Sequence, residues 1–366
     1  MGVQDEVRIK DARVRAFLKA AGYDALVLTT QANFAWITGG GDNHVVLAAD
    51  AGVASALVTR DAKYIVTSNI EADRIMTEEA ASLGFEPRVV KWYDANGAAE
   101  VARLAKGMKV ASDTGIAGST VEARRIAELR YSLTPEEMGK YRRLGKETEA
   151  SMNAVCKGLK PGVTEHEIAG RLAESLYAKG ITPVVLLIAA DERIAKYRHP
   201  IDTDKAVGRC VMLVVCARRW GLILSCTRLV HLGPIPAELR RKHDAVLKVD
   251  AALNLSTTVG TTLGDVFRAG QIAYAEAGFP DEWRLHHQGG SAGYGPRDVV
   301  ATPDEKTRVV VNQAFAWNPS ITGTKSEDTI LVTDKGIEWL SLSSDWPMLD
   351  VEHKGRTVTR EDILVL

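Results

Sequence analysis

Four short segments gather the side chains able to do chemistry: Tyr197-Arg198-His199-Pro200, Ser225-Cys226-Thr227-Arg228, His286-His287-Gln288-Gly289-Gly290, and Asn318-Pro319 followed by Ser326-Glu327-Asp328. Imidazole ionises at a pH of about 6.5, so a histidine among them could take a proton from water and return it to a leaving amine at neutral pH. A thiol beside an imidazole is a second option, with Cys226 and His287 or His199 forming a thiolate nucleophile. Each residue also has a plainer use. Buried Cys226 would act as a small apolar residue, Asn318 would hold the turn before Pro319, and Arg228 and Glu327 would pair with charged neighbours. His286 is expected to face away from His287, since adjacent residues on an extended segment alternate. The run Gly39-Gly40-Gly41 lacks the spacing of a dinucleotide turn.

These segments lie at the ends of apolar runs that read as strands, over 184–189, 209–218, 222–227, 309–311, 315–317 and 329–332. The link 218–221 is short enough for an antiparallel hairpin. Helices are expected over 236–253 and 263–277, and another opens at the capping box of Thr164 and Glu167. Thr134, Pro135 and Glu137 make a similar box ahead of a long helix, which places a domain boundary near residue 132. The domains are then 1–132 and 133–366. In the first, helices over 5–21, 71–83, 98–106 and 121–130 alternate with strands over 25–28, 45–48, 54–58, 64–66, 88–90 and 108–112, which is an α/β pattern. The second reads as α+β, with helices on one face of a curved antiparallel sheet.

In this order, and after such an N-terminal domain, the four segments resemble the creatinase, aminopeptidase P and Xaa-Pro dipeptidase group of pita-bread proteins, the M24 family. The likeness runs from Asn33-Phe34-Ala35-Trp36-Ile37-Thr38-Gly39 to Glu327-Asp328-Thr329-Ile330-Leu331-Val332. It implies an α+β pita-bread C-terminal domain behind a smaller α/β creatinase-type N-terminal domain. The peptidases of that group hold two divalent ions with two Asp, one His and two Glu. Matched by motif, these positions fall on Val215, Cys226, His287, Asn318 and Glu327, so three of the four carboxylates are missing and the member is a divergent one. The expected cofactor is therefore none, the alternative being a single Zn held by Cys226, His287 and Glu327.

The resemblance to creatinase implies a metal-independent route with His199 as proton shuttle, His287 donating to developing negative charge and Glu327 anchoring substrate or water. Substrate contacts are expected from Asn318, Cys226, Arg228 and Tyr294, the last standing where the peptidases carry a second His. The activity implied is hydrolysis of a C–N bond in a small amine, amide or guanidino compound. A degenerate Xaa-Pro metallopeptidase and a silent pita-bread protein that only binds are the alternatives. The resemblance also implies a homodimer.

The chain has 366 residues with 46 Lys+Arg against 47 Asp+Glu, so no overall basic field favours nucleic acid. The apolar stretches 183–190 and 210–217 are too short to span a bilayer, and the N-terminal segment, charged from Asp5 onward and without an apolar run, does not read as a secretory signal. Four cysteines without CxxC spacing fit a reducing cytoplasm. The expected partners are a small-molecule substrate and a second copy of the chain, with no nucleic acid and no membrane.

Overall fold

The computed structural model describes residues 2–94, 96–343 and 345–366. Contacts divide the chain into two units, one running to Lys140 with Trp220–Leu222 added, the other comprising Tyr141–Arg219 and Ile223–Leu366.

In the first unit, strands β1 (Ala25–Thr30), β2 (Ala51–Thr59), β3 (Lys63–Ser68), β4 (Glu86–Val90), β5 (Val110–Ser112) and β6 (Thr120–Val121) form a sheet in the order β4-β3-β2-β1-β5-β6. The two central pairings of β2 are antiparallel and the remaining three parallel. Helices cover it, as the α/β pattern requires. Asp113, just past β5, ties that strand to β1 by accepting from the backbone N–H and hydroxyl groups of Thr29 and Thr30 and from Asn33 Nδ2. Residues 45–48 are not a strand: Val45, Val46 and Leu47 are exposed in a loop, an apolar run without a partner strand. The helix expected over 71–83 is a single turn, Ala72–Arg74, that widens into the π-turn Ile75–Glu79, where Ala80 N–H reaches back to Ile75 O.

The helix Pro135–Lys157 begins at the foreseen capping box, with Thr134 N–H donating to Glu137 Oε2 at 2.7 Å and Glu137 N–H to Thr134 Oγ1 at 3.2 Å. Its first turn packs with the first unit because Lys10 Nζ reaches Glu137 at 2.9 Å and Lys140 Nζ reaches Glu6 at 2.7 Å, a buried set in which charges balance.

The second unit holds β7 (Thr182–Ala190), β8 (Cys210–Arg219), β9 (Leu222–His231), β10 (Gly289–Ala292), β11 (Val299–Val300), β12 (Gln313–Trp317), β13 (Ser320–Ile321), β14 (Thr324–Lys325), β15 (Asp328–Thr333), β16 (Gly336–Trp339), β17 (Met348–His353), β18 (Arg356–Glu361) and β19 (Leu364–Val365). Two larger sheets result, β11-β10-β12-β15-β16 and β19-β9-β8-β7, beside the two-stranded pairs β13-β14 and β17-β18. Strands β8 and β9 are joined by Trp220-Gly221, both at positive φ (54° and 76°), as a two-residue primed hairpin turn demands. The two sheets meet between β9 and β15, where Thr227 bridges Glu327 and Thr329 Oγ1 exchanges hydrogen bonds with Ser225 N–H and C=O. On one face, the helices Ala237–Ser256 and Leu263–Glu276 press Val246, Leu253, Phe267 and Tyr274 onto Phe315, Trp317 and Ile330.

Two departures from the sequence pattern matter here. Val309 bonds Thr261 O and Gly260 N–H in the loop before a helix, so 309–311 is no strand. Conversely β10, Gly-Gly-Ser-Ala, is a strand despite lacking β-branched residues. A Cβ at Gly289 would stand 2.1 Å from Ala316 O and one at Gly290 2.0 Å from Val299 O, so only glycine lets β10 lie between its neighbours.

Candidate active site

A cavity of about 310 Å³ opens in the second unit, walled by Val185, Leu187, Val214, Cys216 and Pro296 and floored by His199, His287, Arg297, Asn318, Lys325 and Glu327. Its centre is an ion-paired trio. Glu327, just ahead of β15, receives Lys325 Nζ at 2.7 Å and Thr227 Oγ1 at 2.7 Å on Oε2, and Arg297 Nη2 at 2.9 Å on Oε1. Burial opposes ionisation of Glu327, but Lys325 and Arg297 outweigh it and hold the carboxyl down at about 2. Arg297 comes from the loop between β10 and β11, which Asp298 N–H pins to Ser291 O at 2.8 Å. Its guanidinium also donates to Asn318 Oδ1 at 2.9 Å and Ser225 Oγ at 3.2 Å.

Three histidines gather beside this trio. His199 is set by its neighbour Arg198, which donates to Glu282 and Thr322 at 2.6 and 2.8 Å. Its Nε2 lies 3.1 Å from His286 Nε2, and the His286 and His287 ring centroids are 4.7 Å apart. The alternation that would send His286 elsewhere applies to paired strands, and pairing begins only at Gly289. Burial first, then Lys325 and the other imidazoles, depresses His286 to about 2; burial, then Arg297, brings His287 to about 4. His199, also lowered by burial and Lys325, stays open to solvent on one side.

The network fixes the tautomers. Arg297 can only donate, so Asn318 presents Oδ1 to it and turns Nδ2 toward His287 O (3.1 Å) and His286 Nε2 (3.4 Å). His286 Nε2 is then an acceptor, its proton sitting on Nδ1 against Ser320 Oγ at 3.0 Å. The proton between the two rings therefore belongs to His199 Nε2. That leaves a lone pair on His199 Nδ1, which has no partner among the described residues.

Of the residues expected at the site, His199, His287, Asn318 and Glu327 come together around the cavity, whereas Cys226, Arg228 and Tyr294 do not line it. Along β9, Ser225 and Thr227 turn toward Arg297 and Glu327, so the alternating Cys226 and Arg228 face the other side. There Arg228 binds Asp328 and Glu361, and burial pushes the Cys226 thiol far above its ordinary value. Cys226 thus faces away from the cavity that His287 and Glu327 line and does not join the converging nitrogens of the histidines, so among the described residues neither the thiolate pair nor the single-Zn set built on it is assembled. On β8 the cavity-facing residues are Val214 and Cys216, not Val215. Arg297, Lys325, His286 and Ser320 were not foreseen. Lys325 carried a signal, two positions before Glu327; Arg297 lies in an irregular loop and carried none.

The model of metallopeptidase family M24 matches residues 139–334, and that of the creatinase/prolidase N-terminal domain matches residues 10–168. The chain belongs to family M24. An uncharacterized peptidase of Staphylococcus aureus (strain MW2) is 22% identical over 224 residues, covering 59% of this chain and 64% of that relative's length. An Xaa-Pro dipeptidase from Bacillus anthracis superposes with a TM-score of 0.78 at 17% identity, over 98% of this chain and 100% of that one. The N-terminal domain of the FACT complex subunit SPT16 from chickpea (Cicer arietinum) superposes at 0.69 with 12% identity, over 92% and 96%. This M24 member has the pita-bread fold with a creatinase-type first domain.

The two-ion centre of the M24 peptidases does not fit these residues. The hairpin offers Val214 and Cys216 toward the cavity, Asn318 replaces a carboxylate, and both oxygens of Glu327 are already held by fixed cations. The nitrogens of His199, His286 and His287 lie within 4.8 Å of one another, a spacing a metal could use. They bring no carboxylate, and the same Lys325 that depresses all three imidazoles would repel a dication there. No helix among the described residues is long and apolar enough to cross a membrane.

Proposed function

We propose that this M24 chain hydrolyses a C–N bond of a small amide or guanidino substrate without a metal ion, as a creatinase-like enzyme. The reading is carried by the Lys325–Glu327–Arg297 trio, fixed positive charge in place of ions, next to an unengaged His199 Nδ1. Below its lowered pKa His199 would be blocked by protonation; at neutral pH it is a free base. His199 Nδ1 takes a proton from water as the water oxygen adds to the electrophilic carbon. The His287 N–H, within the positive field of Arg297, stabilises the charge that develops on the carbonyl oxygen or imino nitrogen. The C–N bond then breaks, and His199 passes its proton to the leaving nitrogen. Cavity size suits a small molecule.

The test is a turnover screen of small amides, guanidines and dipeptides, run with and without chelator beside elemental analysis. Expected are chelator-insensitive turnover and a loss of about 10²- to 10⁴-fold in His199→Ala. Activity that vanishes on chelation and returns with Mn or Zn would overturn the reading.

A further inference from the structure

Charge counting at the cavity floor points to the ligand. Arg297 and Lys325 bring two positive charges, Glu327 brings one negative charge at neutral pH, and the three imidazoles are neutral, so the floor carries an excess of one positive charge. The two cations are not equivalent. Both terminal nitrogens of Arg297 are committed, to Ser225 Oγ and Pro296 O on one side and to Asn318 Oδ1 and Glu327 on the other. It supplies a fixed field. Lys325 spends one N–H on Glu327, which leaves two donors on a side chain that is 5% exposed yet lines the cavity. A buried ammonium with unspent donors and one shared counter-charge wants an anion.

We infer that Lys325 is the seat of a carboxylate, and that the ligand of this cavity is a small monocarboxylate whose aliphatic body lies against Val185, Leu187, Val214 and Pro296. The inference rests on the reading of this cavity as the substrate site and adds the substrate's class. The M24 ions would have drawn carboxylates of the protein to this place; Lys325 draws one from the ligand. A single carboxylate cancels the excess charge, whereas a phosphate dianion reverses its sign. The carboxylate end is held at Lys325, and the reacting C–N bond is set toward His199 at the rim.

Calorimetric binding to the full chain tests this without turnover. Isovalerate, its neutral isostere isovaleramide, isopentylamine and inorganic phosphate are the probes. Isovalerate should bind about tenfold or more tightly than the amide, the usual worth of a charge-assisted hydrogen bond, with the amine and phosphate weaker still. Lys325→Met should abolish the preference for acid over amide, and Lys325→Arg should keep part of it. Equal binding of acid and amide by the unaltered protein, preference for the amine or phosphate, or no saturable isovalerate binding at millimolar concentration overturns it. Because His199→Ala retains Lys325, its carboxylate binding should persist, so failure of the hydrolytic reading and failure of the carboxylate seat are separately visible.

Discussion

His199 is held in its neutral form by burial and, next, by the Lys325 charge, with Arg297 acting the same way and Glu327 opposing. Only the neutral imidazole can act as base, so kcat/KM should fall as pH drops through a midpoint below about 6.5, the ordinary histidine value. Removing the Lys325 charge favours the imidazolium and raises that midpoint. In Lys325→Met the acid limb should therefore move to higher pH, whatever happens to the maximal rate; an unmoved limb means Lys325 does not act on the base. At this scale the sequence was half legible. His199, His287, Asn318 and Glu327 could be found because they stand in motif segments. Cys226 was misplaced because a shift of one position on a strand moves a side chain to the opposite face. Arg297 was invisible because its role is set by a loop that returns over the hairpin.

Strand β10 shows how backbone space decides an element. Gly290 sits at φ 155° with Val299 O where a Cβ would be, and its displacement would pry β10 from β11 and shift the His287 segment before it. Gly290→Ala should cost about 3 kcal/mol in urea unfolding. Gly278, also at positive φ but with open space around it, should cost only about 1 kcal/mol when changed to Ala. Similar losses in the two would deny the close approach. The elements most readable in the sequence were long apolar runs with one pairing solution, as in β8 and β9, and helices announced by capping boxes. The run 45–48 has the right composition but no neighbouring edge to pair with, and β17 with β18 was passed over because its exposed face gives it few apolar residues.

At the scale of the whole molecule, the terminal hairpin of β17 and β18 lies beyond the segment matched by the M24 model, yet it completes the interior of the second unit. Arg360 on β18 reaches Asp250 of the helix Ala237–Ser256 and Asp328 of β15, both at 2.5 Å, while Glu361 meets Arg228 of β9. One strand thus links the helix and both sheets directly behind Glu327. Asp250 and Arg360 are fully buried, and Asp328 nearly so. Arg360→Met would leave Asp250 in the interior without its cation and Asp328 with Arg228 alone, which should cost about 3–5 kcal/mol. The exposed pair of Arg142 with Glu338 is the internal comparison: Arg142→Met should cost at most about 1 kcal/mol, since water already solvates both groups. Urea midpoints at unchanged m-value read both losses. If Arg360→Met were as mild as Arg142→Met, the hairpin would be an appendage, and the register of Asp328, and with it the aim of Glu327 at Lys325, would have to come from the sheets alone.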